Sequence, residues 1–185
     1  MDDGANSYRR FLNGDHAGIR EIIDTYYDGL VMYLNNYMDN LSDADDLAEE
    51  TMIVLATRKP HYHGRSSFKT WLYAIGRHLA IDHIRKHARE VVGIPDTAAQ
   101  QIADVETIEE KCIRDEEHKE LYRAMRNIKQ EYRLVLWLKY FESMSAQEIA
   151  VVTGKSTHSV YHLCERAVEA LRKQMKTENV IYEKS

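Results

Sequence analysis

Turn-forming residues are scarce along this chain, which has eight glycines and two prolines in 185 residues. A sheet protein of this length reverses direction often and needs such residues at its reversals, so their scarcity favours a mostly helical chain with short connections. The apolar content of 44% is enough to build real cores, in one domain of ordinary size or in two small ones.

The charges are unevenly placed. Between Glu21 and Thr57 there is no Lys or Arg, whereas from His61 to Arg89 the only acidic side chain is Asp82. The net charge of −5 therefore describes neither half of this stretch. An acidic run, DNLSDADDLAEE (39–50), followed by a basic aromatic one, GRSSFKTWLYAIGRHLAIDHIRK (64–86), implies two different partners, and the second has the composition of a nucleic-acid reader. The two cysteines, Cys112 and Cys164, stand in unrelated contexts, which speaks against a disulfide framework and fits a reducing cytosol. No apolar run approaches the roughly 20 residues that span a bilayer, and MDDGANSYRR lacks an apolar signal core. The expectation is a soluble, cytoplasmic protein.

Helical periodicity then divides the chain. Gly14-Asp15 offers a cap, and Ile19, Ile22, Ile23, Tyr26, Tyr27, Leu30, Val31 and Leu34 follow at helical spacing to about Asn36. Ser42 with Asp45 predicts a capping box. The buried stripe behind it would be Ala44, Leu47, Ala48, Thr51, Met52 and Leu55, with the carboxylates on the other side. Pro60 and Gly64 interrupt the pattern in a loop at 58–67. A third helix would bury Phe68, Trp71, Leu72, Ile75 and Leu79 and carry Lys69, Tyr73 and Arg77 on its opposite face. The stretch 91–106 has little periodicity and reads as a linker. Thr107 with Glu110 would cap the next helix, whose core side is Leu121, Met125 and Ile128, and LVLWLKYF (134–141) is a dense apolar run.

Ser145 with Glu148 predicts a cap for a short helix packed through Ile149, Ala150 and Val152. Gly154 can end that helix in a left-handed conformation, and Ser156 can start a longer one with Val160, Leu163, Cys164, Ala167, Val168 and Leu171 as its core stripe. This is the helix-turn-helix pattern, set against the plainer reading of an ordinary helical hairpin. In such a unit the start of the second helix enters the major groove, and Arg166, Arg172 and Lys173 are placed to reach phosphates. The expected fold is all-α, two small helical domains joined by a flexible linker, the C-terminal one a helix-turn-helix. The divisions are 1–90, a linker 91–116, 117–177 and a tail 178–185.

DADDLAEETM (43–52), GRSSFKTWLYAIGRHLAIDHIRK (64–86) and SAQEIAVVTGKSTHSVYHLCERAVEALRK (145–173), in this order and spacing, together resemble the extracytoplasmic-function (ECF) sigma factors of the sigma-70 family. The resemblance implies a transcription initiation factor that binds RNA polymerase core, recognises −35 and −10 promoter elements and helps melt promoter DNA, with no covalent chemistry, no cofactor and no metal. It assigns Asp43, Asp46, Glu49 and Glu50 to the polymerase clamp; the plainer reading is a solubilising helix face. It assigns His63, Gly64, Arg65, Ser66, Ser67, Lys69, Tyr73, Arg77, Asp82, Arg85 and Lys86 to the −10 element, duplex and melted non-template strand. Trp71 holds a matching position too, but Trp71 and Phe68 lie on the core stripe and read as structural, which leaves Tyr73 the better stacking residue. Ser156, Thr157, His158, Ser159, Tyr161, His162 and Arg166 would face the −35 element. An anti-sigma factor is an implied further partner.

The chain departs from the family pattern where Tyr161, His162 and Leu163 stand in place of a Lys/Arg run, at Lys155, and at Ile128-Lys129 in place of Leu-Pro. Two other functions compete with this reading. A duplex-binding helix-turn-helix regulator independent of polymerase would use the N-terminal helices for dimerisation or sensing. An enzyme would have to be built on His61, His63, His78, His83 and His87, yet no carboxylate or cysteine nearby completes a metal site and no glycine-rich phosphate loop or convincing nucleophile is present.

Overall fold

The computed structural model describes residues 3–38, 40–91 and 116–182, and the regular structure among these is entirely helical. The N-terminal unit contains α1 (Asp3–Leu12), α2 (Ala17–Met38), α3 (Leu41–Arg58) and α4 (Phe68–Val91). The C-terminal unit contains α5 (Glu116–Arg126), α6 (Gln130–Leu136), a π-helical turn (Trp137–Phe141), α7 (Ala146–Thr153) and α8 (Thr157–Tyr182).

Helix α1 lies ahead of the first helix expected from the periodicity. Its signal is Gly4, Ser7, Tyr8 and Phe11, all buried, at the three- and four-residue steps of one helical face. It crosses α2 closely at Gly18, where an added Cβ would stand 2.1 Å from the Ser7 carbonyl oxygen. Asp15 caps α2 by accepting from the Ala17 amide at 3.0 Å, and its carboxylate also pairs with Arg10 at 2.6 Å.

The start of α3 corrects the expected Ser42–Asp45 capping box. The cap is Asn40, whose side chain accepts from the Asp43 amide at 2.9 Å, and Ser42 lies inside the first turn. Asn is as good a cap as Ser, and starting two residues earlier lets Leu41 pack against the core. All six residues of the expected α3 stripe are buried. On α4, Phe68 and Leu72 are fully buried, and Trp71, Ile75 and Leu79 pack partly buried against the same core.

In the C-terminal unit the expected caps form. Ser145 and Glu148 make a reciprocal capping box on α7, Gly154 ends it at φ 68°, and the Ser156 hydroxyl accepts from the Ser159 amide at the start of α8. Val160, Leu163, Cys164 and Ala167 are buried, with Val168 and Leu171 partly so. The apolar run 134–141 ends in the π-helical turn, where the Trp137 ring stacks on Phe141 at 4.4 Å. Helix α8 continues to Tyr182, past the expected domain end at 177. Residues 92–115, most of the expected linker 91–116, lie outside the described residues, and with them the expected Thr107–Glu110 cap and Cys112. No described helix is long and apolar enough to cross a membrane.

The two units are docked. Helix α7 packs on α4, and α6 on the end of α2. The last carbonyls of α2, which no helical amide can reach, accept instead from the other unit: Gln130 Nε2 donates to Asn36 O at 3.1 Å and to Tyr37 O at 3.2 Å, and Arg133 Nη2 donates to Asn36 O at 3.1 Å.

Candidate nucleic-acid interface

Burial of the α3 stripe turns its carboxylates outward. Asp46, Glu49 and Glu50 are exposed and Asp43 is half-buried. No salt bridge among the described residues engages any of the four. Neighbouring Asp45 accepts from the Tyr27 hydroxyl at 2.9 Å, and burial together with this acidic company pushes that phenol up to about 12.

The loop between α3 and α4 is shaped from below. Lys59 ends α3 in a left-handed conformation, φ 45°, and Gly64 turns the loop at φ 68°. The Tyr8 hydroxyl donates to the Pro60 carbonyl at 2.7 Å and the Tyr62 hydroxyl to the Ser66 carbonyl at 2.5 Å, so the two ends of the loop are anchored by phenols. Phe68 and Trp71 join Tyr8 and Tyr62 in one aromatic cluster beneath, the structural place expected of them. Above it His63, Gly64 and Arg65 are exposed, while Ser66 and Ser67 are half-buried. Ser67 caps α4, its hydroxyl accepting from the Thr70 amide at 3.3 Å.

The face of α4 that carries Lys69, Tyr73 and Arg77 is covered by the C-terminal unit. Lys69 Nζ lies 2.5 Å from Glu142 Oε2 and donates to the Glu142 carbonyl at 3.1 Å. Glu142 keeps only 8% of its side chain exposed and also accepts from Trp137 Nε1 at 3.2 Å and from the Tyr73 hydroxyl. The expectation that Tyr73 stands free to stack on a base is corrected for this arrangement. It is 1% exposed, its ring stacks on Tyr33 at 5.2 Å, and burial pushes its phenol well up. Arg77 hydrogen-bonds the Tyr37 hydroxyl, and its guanidinium borders Gly154, where an added Cβ would stand 3.9 Å from Nη1.

A second carboxylate meets the start of α4. Glu148 Oε1 accepts from the Ser67 hydroxyl at 2.8 Å and from the Thr70 hydroxyl at 3.1 Å, while Oε2 accepts from Ser145 N at 3.0 Å and Ser145 Oγ at 2.9 Å. Burial by itself would raise this carboxyl. The bonds from the Ser145 amide and from the hydroxyls of Ser67, Ser145 and Thr70 outweigh it and hold the group below the ordinary 4.5.

Of the residues expected at the −10 element, His63, Gly64, Arg65, Asp82, Arg85 and Lys86 are exposed, with Arg85 beside Asp82 at 3.8 Å; Ser66 is half-buried, its carbonyl accepting from Tyr62; and Ser67, Lys69, Tyr73 and Arg77 face the other unit. On α8, Ser156, His158, Ser159, Tyr161, His162 and Arg166 are exposed and Thr157 is half-buried. His158 and His162 meet at 3.2 Å between their Nε2 atoms, and Arg166 donates to the His162 carbonyl at 3.2 Å. Among the described residues no group of three His, Cys, Asp or Glu is arranged to hold a metal.

Sequence reasoning missed Glu142 and Thr70 and saw Glu148 only as a cap. The Ser67–Thr70 spacing carried a hint, since a hydroxyl three residues into a helix can join its cap. Glu142 had no local signal.

Residues 22–90 match the family model of sigma-70 region 2, and residues 118–171 match that of sigma-70 region 4. The ECF RNA polymerase sigma factor SigX of Bacillus subtilis (strain 168) is 30% identical over 158 residues, 83% of this chain and 81% of the relative. The ECF RNA polymerase sigma factor SigW of the same organism is 29% identical over 176 residues, 91% of this chain and 94% of the relative. Among solved structures, the sigma factor RpoE from Bartonella quintana, in complex with the anti-sigma factor NepR, superposes with a TM-score of 0.65 at 17% identity, covering 85% of this chain and 96% of that one. CnrH, in complex with the cytosolic domain of CnrY, gives 0.64 at 18% identity over 95% and 96%.

Proposed function

This chain belongs to the ECF RNA polymerase sigma factors, with sigma-70 regions 2 and 4, and is a transcription initiation factor associated with RNA polymerase; from that premise we propose how its surfaces divide the work. The acidic face of α3, Asp43, Asp46, Glu49 and Glu50, binds the clamp region of polymerase core. The loop 63–67 and the Lys69–Tyr73–Arg77 face of α4, continued by Asp82, Arg85 and Lys86, capture the −10 element. The start of α8, from Ser156 to Arg166, reads the −35 element. A helix-turn-helix regulator acting without polymerase has no need of a sigma-70 region 2, which is why that reading falls away.

The observation that carries this assignment is the adjacency of two surfaces of opposite sign on consecutive helices: α3 carboxylates that pair with no cation among the described residues, and Arg65, Lys69 and Arg77 along the loop and α4. Exposed carboxylates can complement a basic protein surface. Cations beside a loop of small residues and hydrogen-bond donors suit single-stranded DNA, whose phosphates need charge and whose unstacked bases need partners. The protein performs no bond chemistry. Melting is a binding equilibrium, in which affinity for an unstacked base offsets the few kcal/mol of unstacking. Working with polymerase, the protein acts in the cytoplasm, and an anti-sigma factor is a fitting partner because RpoE is held by one.

The test is to replace Arg65, Lys69 and Arg77 singly by Ala and to measure core binding and promoter opening separately. Opening should fall about tenfold or more while core affinity stays within about twofold, a tenfold change being ~1.4 kcal/mol. Equal loss of both would sink the assignment.

A further inference from the structure

We propose that His158 and His162, with Glu165 behind them, form a chelating site for a divalent transition ion on the outward face of α8. The coupling of this site to promoter DNA rests on the reading of that face as the −35 surface; the site itself does not.

The helix fixes the arrangement. Burial of Val160, Leu163, Cys164 and Ala167 turns positions 158, 162 and 165 outward, and steps of four and then three residues stack them on one face. All three side chains are exposed. The two imidazoles meet through the same atom, Nε2 to Nε2 at 3.2 Å, with their planes 87° apart. An ion held by two histidines at the usual ~2.0–2.1 Å places their nitrogens about 3.3 Å apart at the tetrahedral angle, so α8 already supplies that bite.

Glu165 decides which nitrogens are available. Its Oε2 lies 3.3 Å from His162 Nδ1, and an ionised carboxylate only accepts, so in the neutral ring Nδ1 carries the proton and Nε2 keeps its lone pair. His158 Nε2 therefore donates to His162 Nε2 in the metal-free chain. When an ion takes the place of that hydrogen, the His158 proton moves to its Nδ1, and the second lone pair opens with no net loss of a proton. A carboxylate behind a ligating imidazole is the usual outer layer of a histidine site, where it fixes the tautomer and strengthens the donor.

Imidazole nitrogens suit zinc, nickel and copper ions, whereas magnesium and calcium prefer oxygen. With two protein ligands the ion keeps water on its other positions, in accord with the lack of a three-ligand cluster among the described residues. A bound ion withdraws both Nε2 atoms from base edges, so ion and −35 duplex compete. By linkage each lowers the other's affinity by the same factor.

The test is calorimetry of zinc binding to the full-length chain, with magnesium as the control ion. His158→Ala with His162→Ala should weaken the tightest zinc site about tenfold or more. His83→Ala with His87→Ala, which removes another histidine pair one turn apart, should leave it within about twofold. Unchanged zinc affinity in the first variant, loss in the second alone, or equal binding of magnesium would each overturn the site. Should the first variant lose its helical circular dichroism, Glu165→Gln decides: weakening of about tenfold supports the site, and unchanged affinity overturns it. The titration is then repeated with saturating duplex from a promoter mapped by transcription with purified core. A further loss of about tenfold in zinc affinity supports the competition. No loss would remove these histidines from the −35 contact and leave the chelate standing on the duplex-free data.

Discussion

Ser67 and Glu148, 81 residues apart, are joined by a 2.8 Å hydrogen bond, and each belongs to the N-terminal cap of a different helix. Ser67 caps α4, and Glu148 completes the capping box of α7. One carboxylate thus sits where two helix N-termini converge, each bringing unsatisfied amides and a positive dipole end that favour negative charge.

Replacing Glu148 with Ala should cost about 2 kcal/mol, the upper part of the range for losing a cap, since the hydroxyls of Ser67 and Thr70 lose their acceptor as well. Thermal unfolding measures it. A loss no larger than the ~0.5 kcal/mol of an ordinary surface substitution would show that the junction contributes nothing.

The same group sets a pH dependence. Its folded-state carboxyl titrates below the ordinary 4.5, so its contribution is complete above pH 4.5 and is lost as the pH falls through the lower folded value. Urea unfolding at a series of acidic pH values should therefore show Glu148→Gln losing less stability below pH 4.5 than the unaltered chain. Parallel profiles would contradict the linkage.

Gly18→Ala tests the crossing of α1 and α2. An added Cβ meets the Ser7 carbonyl oxygen at 2.1 Å and the Phe11 amide nitrogen at 2.9 Å, both backbone atoms that cannot turn aside. Overpacking of about 1–3 kcal/mol should exceed the ~1 kcal/mol that Ala gains over Gly in a helix, giving a net loss in denaturant titration. A stabilised variant would mean that the helices part without cost.

Asp46→Lys with Glu49→Lys should abolish association with polymerase core while leaving helical circular dichroism unchanged, because both side chains are exposed and outside the α3 stripe. Co-purification with core is the readout, and retained binding would exclude this face as the contact.

Arg166→Ala should weaken binding of the C-terminal unit's promoter element and lower the salt slope of the duplex affinity by about 1, the signature of one lost phosphate contact. An unchanged slope would place Arg166 away from the backbone.

Much of the fold was legible because its causes are local. The stripes of α3 and α8 repeat with the helical turn, and caps such as Ser145–Glu148 lie within a few residues of what they satisfy. Where local rules competed, the sequence misled by a small step: Asn40 and Ser42 are both good caps, and the burial of Leu41 decided between them. Helix α1 leaves a weak periodic trace because its buried face is Gly4, Ser7, Tyr8 and Phe11, only two of them large apolar residues.

The interface divides along the same line. Residue types and their order identified which helix is acidic and which is cationic, and three motifs together identified the family. Nothing local told Tyr73 on a polar face from Tyr73 beneath another domain, or Glu142 in water from Glu142 against Lys69, 73 positions earlier. Periodicity reports that a side chain points away from its own helix's core, not what waits on the other side. The sequence by itself determined the helices, the caps and the sign of each surface, since these follow from interactions within a few turns. Only the tertiary structure decided that the cationic face of α4 is occupied, because a charge pairs through space and its partner leaves no periodic trace along the chain.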